Sequence, residues 1–148
     1  MSTQNSTNYN ITNKNILIID AQGGGMGRQL VTAVKSRFPD AIVTAVGTNS
    51  TATSAMLKAG ADQAATGENA VVVCCRNAGI ILGPIGIVIA DSMLGEVTPA
   101  MAAAIGQSPA KRILLPINHC GSIVVGVPDA NISKLIPEVL SEIERSWT

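Results

Sequence analysis

The sequence is poor in aromatic side chains, in charge and in histidine. Its 148 residues include one Trp, one Tyr, one Phe and one His, and only 14% are charged. Lys plus Arg and Asp plus Glu each number 10, so the formal net charge is zero. The chain has neither the basic run nor the aromatic platform typical of nucleic-acid-binding proteins. We therefore expect no nucleic-acid partner.

Cysteine pairs, long apolar runs and an export signal are also missing. The three cysteines, two of them adjacent, form neither a disulfide framework nor a C-x-x-C pair. The longest apolar run, Ala78 to Ala90, has about 13 residues and is too short to span a membrane. Residues 1–13 are polar and rich in Asn, Ser and Thr, which predicts a disordered tail without a signal core. We expect a cytoplasmic protein with no membrane partner.

The most informative stretch that is present reads NILIIDAQGGGMGR, from Asn15 to Arg28. An apolar strand followed by a glycine loop and a helix is the opening of a dinucleotide-type βαβ unit, whose backbone N–H groups face a ligand. The spacing departs from the full fingerprint, because Arg28 stands where its third glycine belongs. The loop therefore predicts a ligand site without naming the ligand. Its predicted contacts are Gln22, Gly23, Gly24, Gly25, Met26 and Gly27.

Hydrophobic periodicity divides the rest of the chain into alternating strands and helices. The predicted strands are Asn15–Asp20, Ala41–Val46, Gly79–Leu82, Arg112–Ile117 and Ser122–Val127. The predicted helices are Met26–Arg37, Thr51–Ala59, Ile87–Leu94, Pro99–Ile105 and Ile132–Arg145, while Glu68–Arg76 suits either a strand or a short helix. This order predicts one α/β domain over residues 14–148. We expect a three-layer, Rossmann-like fold with a mostly parallel sheet of about five strands, whose last two strands form an antiparallel edge hairpin.

Ligands of open α/β sheets bind beyond the carboxyl ends of the strands. Four predicted loops at that edge contain glycine: Ala21–Gly27, Gly47–Thr51, Gly83–Gly86 and Asn118–Gly121. Beyond the first loop, the predicted cofactor contacts are Thr48, Asn49, Ser50, Thr51, Gly83, Pro84, Ile85, Gly86, Asn118 and Cys120. Asn49 or Ser50 is equally suited to capping the following helix.

His119 is the only histidine, and it follows the fourth predicted strand. A neutral imidazole binds first-row metals, and a metal already held in a macrocycle needs only one axial protein ligand. The alternative is a solvated loop histidine. The sequence contains no Ser-His-Asp set, no P-loop lysine and no paired catalytic carboxylates, so we predict no catalytic residue.

A dinucleotide is the competing ligand. Enzymes that use NAD carry a carboxylate at the end of the second strand, and those that use NADP carry an Arg there. This chain has Thr48, Asn49 and Ser50 instead. The alternative of a Rossmann-like oxidoreductase using NADP or a flavin stays open, with its phosphates on Gly23–Gly27 and Thr48–Ser50.

Four segments carry a resemblance to a known family: DAQGGGMGRQLV, GTNSTATSAMLKAGAD, TGENAVVVCCRNAGIILGPIGIVIADSMLGE and LLPINHCGSIVVGV. From Ile16 to Val127 the chain resembles a small bacterial family of unknown function found in anaerobes, and within it the CrdX-like corrinoid-binding branch. The resemblance implies a non-catalytic carrier or scavenger of cobalamin, or a related corrinoid, for corrinoid-dependent enzymes. It also implies that His119 is the axial cobalt ligand. The Asp-x-His-x-x-Gly motif of other corrinoid domains is absent, since the sequence here reads Ile117-Asn118-His119-Cys120-Gly121.

Assembly is the last feature that the sequence addresses. Ala100, Ala102, Ala103 and Ala104 are crowded into the segment from Thr98 to Gln107. Such small side chains allow another helix to approach closely, which predicts a homodimer. The alternative is that the neighbouring helix over Ile87–Leu94 already covers this surface.

Overall fold

The computed structural model of the protein describes residues 14–117, 120–128 and 131–148. Within these ranges the strands are β1 (Asn15–Asp20), β2 (Ile42–Gly47), β3 (Gln63–Thr66), β4 (Ile80–Pro84) and β5 (Lys111–Leu115). The α-helices are α1 (Gly25–Arg37), α2 (Ser50–Lys58), α3 (Glu68–Cys74), α4 (Pro99–Gln107) and α5 (Ile132–Ser146). A 3₁₀ helix, Ile85–Val88, follows β4.

The five strands form one sheet in the order β3-β2-β1-β4-β5, and every pair is parallel. The register places Asp20 beside Gly47 and Gly47 beside Thr66, so the carboxyl ends of β1, β2 and β3 lie level. The chain steps outward from β1 to β3, then returns to place β4 on the other side of β1. This arrangement confirms the predicted Rossmann-like α/β fold.

Helices cover both faces of the sheet and divide the core in two. On one face, Ile16, Ile18 and their neighbours pack with residues of α1, α2 and α5, such as Leu30, Met56 and Val139. The alternate strand residues point to the other face. There they pack with α3, the 3₁₀ helix and α4. Strands covered on both faces read as nearly continuous apolar runs, which is why β1 and β4 are easy to find in the sequence.

The predicted antiparallel hairpin is not part of this sheet. Residues Ser122 to Val127 contain no strand in the structure. Gly121 and Gly126 have φ angles of 85° and 83°, and the N–H of Val127 donates to the carbonyl of Val124. These turns break the extended run that the alternation of apolar residues predicted. The strand that brings the sheet to five is instead β3 (Gln63–Thr66), which the sequence did not predict. It is a four-residue edge strand whose Gln-Ala-Ala-Thr sequence has little strand propensity.

The predicted helix over Ile87–Leu94 is also wrong. The 3₁₀ helix ends at Val88, and the chain then turns repeatedly through Glu96. Asp91, Met93 and Leu94 have φ angles of 64°, 54° and 59°, which no right-handed helix allows. The ambiguous segment Glu68–Arg76 forms the helix α3, with turns after Cys74.

Of two further expectations, one concerns membrane helices and the other falls on residues that the structure does not describe. In the described ranges, no helix is both long enough and apolar enough to cross a membrane. The tail over residues 1–13 lies outside the described residues, as do Asn118 and His119.

Candidate ligand-binding crevice at the strand ends

The candidate site lies at the carboxyl ends of β1, β2 and β4. After β1 the chain turns into α1 on one face of the sheet, and after β4 it turns into the 3₁₀ helix on the other face. Neighbouring strands whose connections leave on opposite faces open a crevice between their loops, where α/β proteins bind ligands. We call this site the strand-end crevice, formed by the loops 21–24, 48–49 and 85–97.

Gly24 and Gly27 are required by packing. Gly24 has a φ of 74°, and a Cβ placed on it would lie 2.7 Å from the Cα of Ala52. A Cβ on Gly27 would lie 2.5 Å from the Sδ of Met56. These glycines let α1 lie against α2, so their presence says nothing about a ligand.

Gly23 and Gly25 differ from them. A Cβ on either residue would have no atom within 4 Å, and neither has a left-handed φ. Both are exposed. Neither conformation nor internal packing therefore requires glycine at these positions, whereas close approach of a ligand to the backbone would.

Asp20 ends β1 with a buried carboxylate that organises the glycine loop. Its Oδ1 accepts from the N–H of Ala21 at 2.8 Å, and its Oδ2 accepts from the N–H of Gly27 at 2.7 Å. Burial raises the pKa of Asp20, although both N–H groups act in the opposite direction. This geometry is that of a strand-end aspartate that hydrogen-bonds to the loop backbone.

Glu96 joins three parts of the crevice, and sequence reasoning missed it. One carboxylate oxygen, Oε1, accepts from the N–H of Gln22 at 2.9 Å, the hydroxyl of Thr48 at 2.7 Å and the Nδ2 of Asn49 at 2.7 Å. The N–H of Gln22 is the largest cause of the lowered pKa of Glu96, and both side chains act in the same direction. No local motif marks this residue, and the incorrect helix over Ile87–Leu94 placed it away from the site.

Asn49 has the capping role that the sequence offered it, and it also joins neighbouring loops. Its Oδ1 accepts from the N–H of Ala52 and caps α2, while its Nδ2 also donates to the carbonyl of Gln22 at 3.0 Å. Ser50 and Thr51 are exposed in the first turn of α2. Thus Gln22, Thr48 and Asn49 are brought together as predicted neighbours.

The predicted cofactor contacts at Met26 and in the loop after β4 are buried or half-buried. Met26 is half-buried against the core. Gly83, Pro84 and Gly86 are buried, and Ile85 is half-buried. A Cβ on Gly83 would lie 2.6 Å from the carbonyl oxygen of Ile19, so this glycine allows β4 to approach β1. The structure therefore gives Gly83 a packing role between two strands.

The cysteines and the predicted metal ligand, His119, are the remaining candidate site residues. Cys120 is exposed, with a φ of 53°, while Asn118 and His119 lie outside the described residues. Burial raises the pKa of the Cys75 thiol to about 11, which fits inert packing. Across the described ranges, no group of three or more His, Cys, Asp and Glu side chains is placed to hold a metal ion.

Comparisons with known proteins address the family and leave the ligand open. No significant match was found among curated proteins or among solved structures. A family profile matches residues 15–148, which agrees with the resemblance to a family of unknown function and does not bear on corrinoids. The chain belongs to the family described as Domain of unknown function (DUF3842).

Proposed function

We propose that this protein is a non-catalytic, CrdX-like corrinoid-binding protein of the cytoplasm, which carries or scavenges cobalamin or a related corrinoid for corrinoid-dependent enzymes. The observation that carries the proposal is the open backbone of Gly23 and Gly25, where glycine serves neither conformation nor packing. A flat macrocycle can approach such a backbone closely, and its amide rim can hydrogen-bond to it. When bound, the cobalt of a corrinoid accepts an axial nitrogen ligand.

Exposed apolar side chains support a large ligand at the same edge. Leu94, Ile123 and Val125 are 98%, 89% and 92% exposed, while the other exposed large apolar residues are near half that. Leu94 follows β4 and the other two follow β5, so all three belong to segments that leave the carboxyl edge of the sheet. Apolar groups exposed to this extent commonly mark a ligand or partner surface.

His119 is the proposed axial ligand. It stands four positions beyond Leu115, the last residue of β5, and β5 is parallel to β4. Its imidazole suits cobalt. The exposed Cys120 beside it is the competing donor, so the two side chains have to be separated by experiment.

The test combines hydroxocobalamin with purified wild-type protein, His119→Ala and the matched control Cys120→Ala. We expect the wild type and Cys120→Ala to shift the visible bands of the cofactor and to retain it through gel filtration. His119→Ala should leave the bands of the free cofactor. The same bands with wild-type protein as with buffer, or an unchanged shift with His119→Ala, would show that the ligation proposal is wrong.

One observation favours the alternative, an oxidoreductase that uses NADP or a flavin. A depression of about 610 Å³ is lined by residues that include Arg28, Ser50, Thr51 and Lys58. The depression combines two cations, one of them Lys58 at the last residue of α2, with the first turn of α2, and this combination suits a phosphate. Against it, Asp20 already occupies the N–H of Gly27 at the start of α1, where a pyrophosphate binds in dinucleotide sites.

Thermal shift with NADP, NAD, FAD and cobalamin in parallel separates the two functions. A ligand that binds only the folded protein raises its unfolding temperature by mass action. We expect a shift with cobalamin alone. A shift with a nucleotide and none with cobalamin would favour the oxidoreductase.

A further inference from the structure

We propose that Glu96 is the specificity-determining residue of the strand-end crevice: its carboxylate occupies an oxyanion position built by Gln22, Thr48 and Asn49, and thereby keeps phosphate and other anionic groups of a ligand out of that position. The inference takes from the proposed function only that the crevice is the ligand site. It adds the charge class of the ligand group at that position, which is neutral or cationic and rich in hydrogen-bond donors.

The three donors come from two different strand ends. The N–H of Gln22 follows β1, while the side chains of Thr48 and Asn49 follow β2. Backbone and side-chain donors converging on one oxygen at 2.7–2.9 Å form the kind of nest that binds an oxyanion. In this chain the oxyanion is supplied by a residue from the loop after β4.

Several residues beside the nest have left-handed backbone conformations. Gln22 has a φ of 53°, and its N–H donates to the carboxylate. On the other side, Asp91, Met93 and Leu94 adopt left-handed conformations before Gly95 leads into Glu96. Left-handed conformations are costly for residues with a side chain, and they persist where surrounding contacts hold them. The hydrogen bonds of Glu96 are contacts of that kind.

The negative charges of Asp20 and Glu96 determine which ligand groups can bind at the nest. The carboxylate of Asp20 lies close enough to Glu96 for the two to repel each other, and it already takes the N–H of Gly27. A phosphate placed at this nest would meet both negative charges and would find its donors occupied. A carboxamide or an amine would instead donate to the remaining lone pairs of the Glu96 carboxylate.

The experiment measures pyrophosphate binding by isothermal titration calorimetry at neutral pH. It compares wild type, Glu96→Ala and the control Glu68→Ala. Glu68 also accepts from a threonine hydroxyl, that of Thr98 at 2.6 Å, so the control removes the same charge and a similar hydrogen bond away from the nest. We expect Glu96→Ala to bind pyrophosphate at least tenfold more tightly than the wild type, and Glu68→Ala to resemble the wild type.

Equal pyrophosphate affinities for Glu96→Ala and Glu68→Ala would overturn the inference, as would wild-type binding as tight as that of Glu96→Ala. Binding at the depression beside Arg28 is common to all variants and cancels in the comparison. If Glu96→Ala does not fold, Glu96→Ser removes the charge with a shorter side chain, which leaves the three donors free. A gain over Glu68→Ser then supports the inference, and no gain overturns it. Because no corrinoid is used, failure of the corrinoid proposal and failure of this inference are separate results.

Discussion

Gly27 of α1 and Met56 of α2 are in such close contact that no side chain fits between them. A Cβ on Gly27 would lie 2.5 Å from the Met56 Sδ and 2.9 Å from the Asp20 Cβ. Both Gly27 and Met56 are buried. The glycine therefore fixes the distance between the two helices, and it also fixes the hydrogen bond from its own N–H to Asp20.

We expect Gly27→Ala to lower the free energy of unfolding by about 1–3 kcal/mol, because an extra methyl group in a packed contact forces its neighbours to move. The matched control is Gly25→Ala, since Gly25 has open space around it. That variant should be unchanged or more stable by up to about 1 kcal/mol, because alanine restricts the unfolded chain. Urea unfolding monitored by circular dichroism measures both. Similar losses in the two variants would contradict this account.

Gly23 should affect ligand binding and leave folding unchanged. A Cβ at this position meets no atom of the protein within 4 Å, so Gly23→Ala should keep the wild-type melting temperature. The methyl group would, however, hold a macrocycle away from the loop backbone. We expect at least a tenfold loss of cobalamin affinity, measured by titration of the visible spectrum. An unchanged affinity would place the ligand elsewhere.

The contrast between these glycines shows which features of the loop can be predicted from the sequence. The GGGMG run predicts a strand, a sharp turn and a helix, and the structure confirms all three. The sequence does not distinguish Gly24 and Gly27, where a Cβ would collide with α2, from Gly23 and Gly25, where a Cβ would meet open space. That difference depends on where α2 lies, and contacts between distant segments leave no local pattern.

The same limit explains the errors at the edges of the sheet. β1 and β4 are buried on both faces, and their apolar runs identify them. β3 is a short polar edge strand held by pairing with β2, so its sequence lacks a strand signal. Conversely, Ser122–Val127 has a strand pattern but turns at Gly126. Glu96 was missed because its three donors lie 47 to 74 residues away in the chain.

Acid should weaken the fold partly through Glu96. Its pKa is lowered in the folded protein, so its ionised form adds stability above the unfolded pKa of about 4.3. This stability is lost as the pH falls through the lower folded pKa. Asp20 has the opposite sign: its pKa is raised, so its ionisation reduces stability as the pH rises through the folded value.

We therefore expect the stability difference between wild type and Glu96→Gln to be largest at neutral pH and to shrink below about pH 4. Urea unfolding at a series of pH values measures the difference directly. Glu138→Gln, an exposed substitution on α5, is the control for loss of a surface charge. A difference that does not change with pH would show that the charge of Glu96 is not what its partners stabilise.

Asn49 and Asn131 both cap helices, yet they should not be equally important. Asn131 Oδ1 accepts from the N–H of Lys134 at the start of α5, and the loss of such a cap costs about 1 kcal/mol. Asn49 caps α2 in the same way and also donates to Glu96 and to the carbonyl of Gln22.

Asn49→Ala should consequently lower the free energy of unfolding by more than Asn131→Ala, since it leaves Glu96 with one fewer donor. Asn49→Ser should recover the capping part of the loss and not the rest. Equal losses for the two alanine variants, measured by urea unfolding, would mean that the bond from Asn49 to Glu96 adds no stability.

The predicted homodimer depends on the face that α4 leaves open. Met101, Ala102 and Ile105 are buried in the core, while Ala100 and Ala103 are exposed one turn apart. Only part of the alanine cluster is therefore available to a second subunit.

Light scattering coupled to gel filtration at micromolar concentration should give about twice the monomer mass of 15.2 kDa. Ala103→Glu should give a monomer, because it places a charge in the closest part of the contact. Ala90→Glu, which changes an exposed alanine outside α4, should remain dimeric. A wild-type monomer with and without ligand would show that the dimer prediction is wrong.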